Sequence, residues 1–413
     1  MCALGNRSIF MRKVNSHKIV TLLLLLSLGM SACQAATPDP AVVKQTMQAA
    51  VALTLTAAPT LTPIPTSTST PTPTASPTPV TVVYGPTNFP ENINPLTGLQ
   101  VEDPAILDRR PVMMKVADQA AGRPHAGLTN ADIVFDYYIG NGLDRFVALY
   151  YGKNDTKVGT MRSGRLVDIP LTQMYQGIIG IISAWKPELD AILGALGGRV
   201  VNTEHCSDQF KAICDDGSNT ETSVFGNTAE MSAYYESKDY ATKGRPNLDG
   251  MAFATVPPTG GVPATQFTMH FGKNINQQWI YDPVTKKYMH WIDEVDSNGN
   301  SRMIPLIDRN TGEQLATSNV ITIFAKLNVL NGDADTIHEY EIQNTKGRAL
   351  ICRDGMVYDV FYKSGWDTPI QFFDAEGNPF QLQPGNTWIH LAGVYSSVKE
   401  EPAGVWMVRL GIP

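Results

Sequence analysis

In this 413-residue chain the residue types and spacing best suited to chemistry are those of Arg162-Ser163-Gly164-Arg165. They follow an apolar run at 146–151 that reads as a strand and precede a segment that reads as a helix opening near Arg165. A helix amino end exposes unpaired N–H groups and a partial positive charge, so two guanidiniums and a hydroxyl beside it would make a pocket for a carboxylate or a phosphate. Lys115, Arg123 and Arg145 lie near the ends of neighbouring strand candidates and are placed to converge on the same edge. The competing expectation is that these cations pair with Asp132, Asp136, Asp144 or Asp168 and only brace the fold.

Other candidate motifs are weaker. Ser183 and Lys186 have the Ser-x-x-Lys spacing of penicillin-recognising enzymes, with Lys363-Ser364-Gly365 far downstream. Pro187 follows the lysine at once, so the helix begins there, the serine and lysine share no helical face, and the third motif is missing. Asp293, Asp296, Asn298 and Asn300 surround Gly299, but counting from Asp296 places neither glycine nor carboxylate where an EF-hand loop needs them, so a turn is expected. Trp279, Tyr281, Tyr288 and Trp291 alternate on strand candidates and are expected to fill a core rather than stack on sugars. His270, His290, His338 and His390 show no metal-ligand spacing and read as ordinary strand or loop residues. No metal and no cofactor is expected.

The elements that would position the first site are strands at 111–117, 131–139, 146–151 and 177–183, interleaved with helices at 165–174 and 187–196. Alternating strands and helices predict an α/β sandwich with a mixed sheet over residues 84–256, because the strands at 131–151 have no helix between them. Beyond the Pro- and Gly-rich seam VPPTGGVP at 256–263, strand candidates recur at 266–271, 278–281, 287–292, 320–325, 348–352, 356–362 and 387–391. Residues 257–413 are therefore expected to form a second, mostly-β domain, with Asp354-Gly355 turning a hairpin.

Residues 1–32 have a different character. Arg12, Lys13 and Lys18 precede an apolar run from Ile19 to Leu28, and small residues lead to Cys33, the pattern of a bacterial lipoprotein signal in which Cys33 becomes the lipidated first residue. The run is shorter than the roughly 20 residues of a membrane-spanning helix. A start at Met11 gives the same Cys33 and a more ordinary signal length. No charge occurs between Lys44 and Glu91, and 59–79 alternates proline with threonine and serine, so residues 33–83 read as a disordered stalk of extended polyproline character, with 41–58 able to form a short helix. Removal of the signal takes away four positive charges and moves the net charge from -7 to -11, which argues against nucleic acid as a partner and makes any anion site a local one. Outside the signal region the cysteines are Cys206, Cys214 and Cys352. The first two are spaced for a local disulfide; zinc, with His205 adjacent, lacks a fourth ligand.

NPLTGL at 94–99, RRPVMMKVAD at 109–118, RPHAGLTNADIVFDYY at 123–138, DRFVALY at 144–150, VGTMRSGRL at 158–166, SNVITIF at 318–324 and LQPGNTWIHL at 382–391 resemble, in this order, the YerB-like lipoproteins, a bacterial family built from two domains of unknown function. The resemblance implies an exported, membrane-tethered protein and supplies no reaction or catalytic residue. The expected work is binding of an anionic cell-envelope ligand at Arg162, Ser163 and Arg165 by a protein held at the extracytoplasmic membrane face through Cys33. The alternatives are a cell-wall enzyme using Ser183 and a scaffold for an envelope protein. Oligomeric state does not follow from the residues.

Overall fold

Two neighbouring segments, Ile133–Gly140 (IVFDYYIG) and Leu143–Tyr150 (LDRFVALY), are buried at nearly every position. Successive side chains of a strand point to opposite faces, so strands buried throughout belong to a sheet covered on both sides. The computed structural model describes residues 82–218, 220, 222–330 and 337–413 and builds the protein around such a sheet. The signal, Cys33, the stretch 41–58 and the stalk up to residue 81 lie outside the described residues.

The amino-terminal half contributes β1 (Val112–Ala117), β2 (Ile133–Gly140), β3 (Leu143–Tyr150), β4 (Ile178–Gly180) and β5 (Val200–Val201). The carboxyl-terminal half contributes β6 (Val262–Pro263), β7 (Gln266–Gly272), β8 (Ile275–Asp282), β9 (Lys287–Val295), β10 (Ser301–Pro305), β11 (Asn319–Leu330) and β12 (Ile337–Glu341). It continues with β13 (Lys346–Arg353), β14 (Met356–Lys363), β15 (Gln371–Phe373), β16 (Thr387–Gly393), β17 (Ser397–Glu400) and β18 (Val405–Arg409). Among the described residues a twelve-stranded mixed sheet runs in the order β6-β14-β13-β11-β16-β2-β3-β1-β4-β5, with β12 on β11 and β15 on β14. A seven-stranded sheet, β10-β9-β8-β7-β18-β17 with Ala316–Thr317 on β9, stands apart from it.

One face of the large sheet packs Ile133, Phe135 and Tyr137 of β2 and Ile321 and Ile323 of β11 against α1 (Asp168–Met174) and α2 (Lys186–Leu196), through Leu171, Met174, Ile192 and Leu196. The alternate residues, among them Val134, Phe146, Val320 and Trp388, face the smaller sheet's Phe267, Met269, Trp279 and Tyr288 and α3 (Thr228–Glu236). Trp279 and Tyr288 thus fill a core as expected; both are fully buried. Asp354 and Gly355 turn the β13–β14 hairpin with φ of 51° and 74°, the left-handed pair that two-residue hairpin loops require.

The strand positions agree with the sequence reading, but the expected α/β sandwich over 84–256 is not confirmed as a fold of its own. α1 and α2 cover one face of the amino-terminal strands, and the other face is covered by α3 together with the β sheet of the carboxyl-terminal half. The halves also share backbone: β16 runs parallel to β2, pairing Thr387 with Ile133 through Leu391 with Tyr137, and lies between β2 and β11. Even the seam at 256–263 is paired, Val262 and Pro263 lying against Val357 and Met356. The protein is mostly β with few helices, and a single compact unit contains every described residue.

A strand buried on both faces and stripped of one neighbour would expose a full edge of unpaired backbone. Residues 82–256 alone should therefore give no cooperative thermal melt while 82–413 melts cooperatively. A sharp melt of the shorter piece would contradict this account of the joint.

Candidate functional site

The expected cationic site forms at the carboxyl end of β1. The Arg162 N–H donates to the Lys115 carbonyl (2.9 Å), the Ile182 N–H to the Arg162 carbonyl (3.1 Å) and the Gly164 N–H to the Ser183 carbonyl (2.7 Å), so 161–164 lies between β1 and the segment after β4. A Cβ at Gly164 would stand 2.9 Å from the Ile192 side chain of α2, so a larger residue there would have to displace that side chain. On the helical face of the sheet Arg145 pairs in register with Ala117 on one side and Tyr137 on the other. It is 6% exposed; its Nη1 donates to the Asp144 carbonyl (2.8 Å), and its Nε has no acceptor among the described residues. Burial draws the Arg145 pKa down to about 10 against the pull of Asp144, and the nearby Arg165 and Arg162 guanidiniums add to the lowering.

Arg165 directs Nη1 at the Gly164 carbonyl (2.9 Å) and lies 3.7 Å from Glu188, whose carboxyl is pushed up by burial against Arg165's attraction. Arg162 donates from Nε to Gln119 (3.1 Å), and the half-buried Ser163 hydroxyl makes no hydrogen bond among the described residues. Arg145, Arg162, Ser163 and Arg165 are thus brought together.

Two expected members are not. Lys115 is fully buried and committed to Asp168 (3.1 Å), with the Tyr137 hydroxyl bonded to both; burial lowers the lysine pKa to about 8 although Asp168 raises it. Arg123 belongs to the other face: it donates to the Asp118 carbonyl (2.8 Å) and carboxylate (3.2 Å) and to the Asp293 carbonyl, tying the end of β1 to β9. Both brace the fold, Lys115 through Asp168 as the competing expectation held and Arg123 through Asp118, which that expectation did not name. The helix expected near Arg165 begins at Asp168 and has seven residues, and Asp168 Oδ2 already accepts the Arg165 N–H (2.7 Å), so its amino end offers no anion site.

The remaining candidates resolve simply. Lys186 is the first residue of α2 and pairs with Asp190, while Ser183, outside the helix, reaches only the Ala184 carbonyl (3.5 Å), so no lysine is in position to take its proton. Cys206 and Cys214 are disulfide-bonded, which removes the thiolates a zinc ion would need, and Cys352 is a buried thiol. Asp296 caps the β9–β10 turn through the N–H groups of Asn298 and Asn300, and Asp293 receives the Asn276 N–H and the Ser301 hydroxyl. No cluster of metal-ligating groups occurs among the described residues.

A polar layer that the sequence reading missed lies on the opposite face, between the sheets. Gln277 of β8 donates to Asp118 (3.0 Å) and Asp144 (2.9 Å), and its carbonyl oxygen takes the His290 Nε2 proton (2.6 Å), an assignment fixed by the amide's own two donations. Asp136 of β2 stands 3.4 Å from the Trp388 indole nitrogen and 3.7 Å from His390, its register partner on β16. His125 donates to the Ala117 carbonyl (2.6 Å). Burial, and after it the Asp144 carboxylate, holds Asp118 and Asp136 well above the usual carboxylate range. Burial draws His125 and His390 down to about 3 and His290 well below its usual value. The ordinary order is inverted: acids keep protons and imidazoles are neutral. The detectable signal was a charged residue on an inward position of an apolar strand, as in IVFDYYI and TWIHLAG.

The folded state keeps the Asp136 proton to pH values at which an unfolded aspartate has lost it, so this group favours folding at low pH and opposes it as pH rises through its folded pKa. Asp136→Asn removes that dependence. Denaturant melts should show the variant gaining on the unaltered chain between pH 5 and pH 8, by at most about 1.4 kcal/mol per pH unit for one proton. A difference independent of pH would refute the assignment.

A family model described as the N-terminal domain of a protein of unknown function (DUF3048) matches residues 96–241, and the C-terminal domain model of the same name matches 267–389. The chain is 24% identical over 310 residues to a Bacillus subtilis (strain 168) protein named "Putative lipoprotein YerB", covering 72% of this chain and 85% of the relative. The crystal structure of YerB from Bacillus subtilis has the same fold, with a TM-score of 0.58 and 22% identity, over 73% of this chain and 96% of that one. Among the described residues no helix is long and apolar enough to cross a membrane.

Proposed function

Because the chain belongs to the YerB-like family of two-domain proteins, we propose that it is a lipid-anchored binding protein that displays its sheets to the cell envelope and holds an anionic envelope ligand at Arg145, Arg162, Ser163 and Arg165. The relative's lipoprotein name and the sequence around Cys33 support the tether; the stalk at 33–83 would set the folded residues on the order of 60 Å off the bilayer if extended. The ligand class is a carboxylate or phosphate, as in cell-wall peptides and phosphorylated glycans.

The observation that carries the reading is the Arg145 guanidinium, buried with its Nε unanswered and repelled by two further guanidiniums at its side. An anion there would relieve both penalties, and charge-assisted hydrogen bonds to it would contribute about 1.5–3 kcal/mol each. In a chain of net charge -7 such a local excess is also selective, since the surrounding field disfavours anions that make no direct contact.

Replacement of Arg162 and Arg165 together by alanine should weaken calorimetric binding of purified muropeptides or wall phosphoglycans at least tenfold, with the cooperative melt retained at a lower temperature because the buried Glu188 loses its partner. Equal binding by the variant would reject the site. Cys33→Ala should move the protein from the membrane fraction to the soluble fraction; retention at the membrane would reject the tether.

A further inference from the structure

A second site lies elsewhere on the molecule, in an open cleft of about 430 Å³ where the loop after β14 meets the residues flanking α1 and β5. Its size falls in the roughly 300–1,000 Å³ range of small-molecule sites. Its walls are held by hydrogen bonds. Arg110 Nη1 donates to Gln176 Oε1 (3.0 Å), Gln176 Nε2 to the Asn247 and Asp367 carbonyls (2.7 and 3.0 Å), and Gln343 Nε2 to Gln173 Oε1 (3.1 Å) and the Trp366 carbonyl (2.7 Å).

Several groups are left over. Among the described residues the half-buried Arg199 has no hydrogen-bond acceptor and no ion pair, although it is close enough to Arg110 for the two charges to oppose each other. Burial lowers the Arg199 pKa first, Tyr235 works against that, and Arg110 adds to it. The Gln173 amide nitrogen and the Gln343 amide oxygen are likewise uncommitted, a donor and an acceptor side by side. Trp366 is 66% exposed and its ring has no aromatic or cationic partner among the described residues. Asp367 stands at the rim with its carboxylate in no ion pair.

These leftovers describe a ligand. Two opposed guanidiniums lining one cleft call for a carboxylate, although Arg110 already donates from Nε to the Thr242 carbonyl (3.4 Å) and from Nη1 to Gln176, which leaves its Nη2 for the ligand. An unpartnered indole with an amide donor, an amide acceptor and a rim carboxylate nearby suits a flat ring that presents C–H bonds on its face and hydroxyls around its edge, because the electron-rich indole face attracts the slightly positive C–H groups. A bare inorganic anion would leave the indole and the amides unused. We infer that this cleft binds an acidic saccharide, a sugar ring bearing a carboxylate, with Arg110 and Arg199 on the carboxylate, Trp366 against the ring face, and Gln173 and Gln343 on its hydroxyls. The inference does not rest on the cationic site at Arg145, which the cleft does not include.

The test uses the full chain and two disaccharides that differ in one group, cellobiouronic acid and cellobiose, followed by calorimetry and by tryptophan fluorescence. The acid should bind at least tenfold more tightly than cellobiose and perturb the fluorescence, and Trp366→Phe should remove that change. Arg199→Ala should cost at least tenfold for the acid and nothing for cellobiose; since Arg199 makes no hydrogen bond among the described residues, its melting temperature should not move. Inorganic phosphate at the same concentration should not displace the acid. Equal affinity for the two sugars, no binding of either, or displacement by phosphate would each overturn the assignment. The sugar pair is compared on the unaltered protein, so that comparison decides the matter even if a variant fails to fold.

Discussion

The parallel pairing of Thr387–Gly393 with Ile133–Gly140 is the contact on which the rest depends. Every residue of both strands is buried, so their backbone groups have no water to turn to, and each strand answers the other's donors and acceptors. The pairing makes one sheet of two sequence halves. It also settles which elements meet across each face: α1 and α2 lie on one side, the smaller sheet of the second half and α3 on the other.

That arrangement separates charge by face. On the helical side lie Lys115, Arg145 and the 162–165 loop, close enough to the rim that Arg165 keeps partial contact with water. On the inter-sheet side lie Asp118, Asp136 and Asp144 with three histidines, all beyond the reach of solvent. Adjacent residues of one strand, Asp144 and Arg145, serve the two populations. In solution a neighbouring acid and base would neutralise each other; here the pleat aims them apart and each must find its partners in a different layer. Gln277 is the piece that reconciles the acids, since one amide nitrogen supplies both of its protons to the neighbouring Asp118 and Asp144 side chains.

The strands were legible because their apolar runs are short and bounded by turns, and the Asp354-Gly355 hairpin because two positive φ angles leave few residue choices. The sharing of the sheet was not legible. Nothing in the composition of residues 387–393 distinguishes a strand that pairs within its own half from one that pairs 254 positions away in register with Ile133. Local periodicity reports burial and is blind to the neighbour that provides it. The same blindness affected the site. Arg123, Arg145, Arg162 and Arg165 are equivalent as sequence, and only the alternation along β3 and the turn after β1 put Arg123 on the acidic side and the others together. The cleft at Arg199 and Trp366 lay further out of reach, since its residues are scattered from 110 to 367 and no motif joins them.

The position of Thr387–Gly393 also imposes a schedule. This strand sits in the interior of the large sheet, between strands from 133–140 and 319–330, yet it follows both of them in the chain. A chain delivered amino end first, by a ribosome or through a membrane channel, holds both flanking strands long before it holds the one that joins them. Non-local pairing of this kind is slow, and here it must also wait for the last of the three strands. The large sheet therefore stays unlocked until residues 387–393 have been delivered and can close between the two strands already waiting.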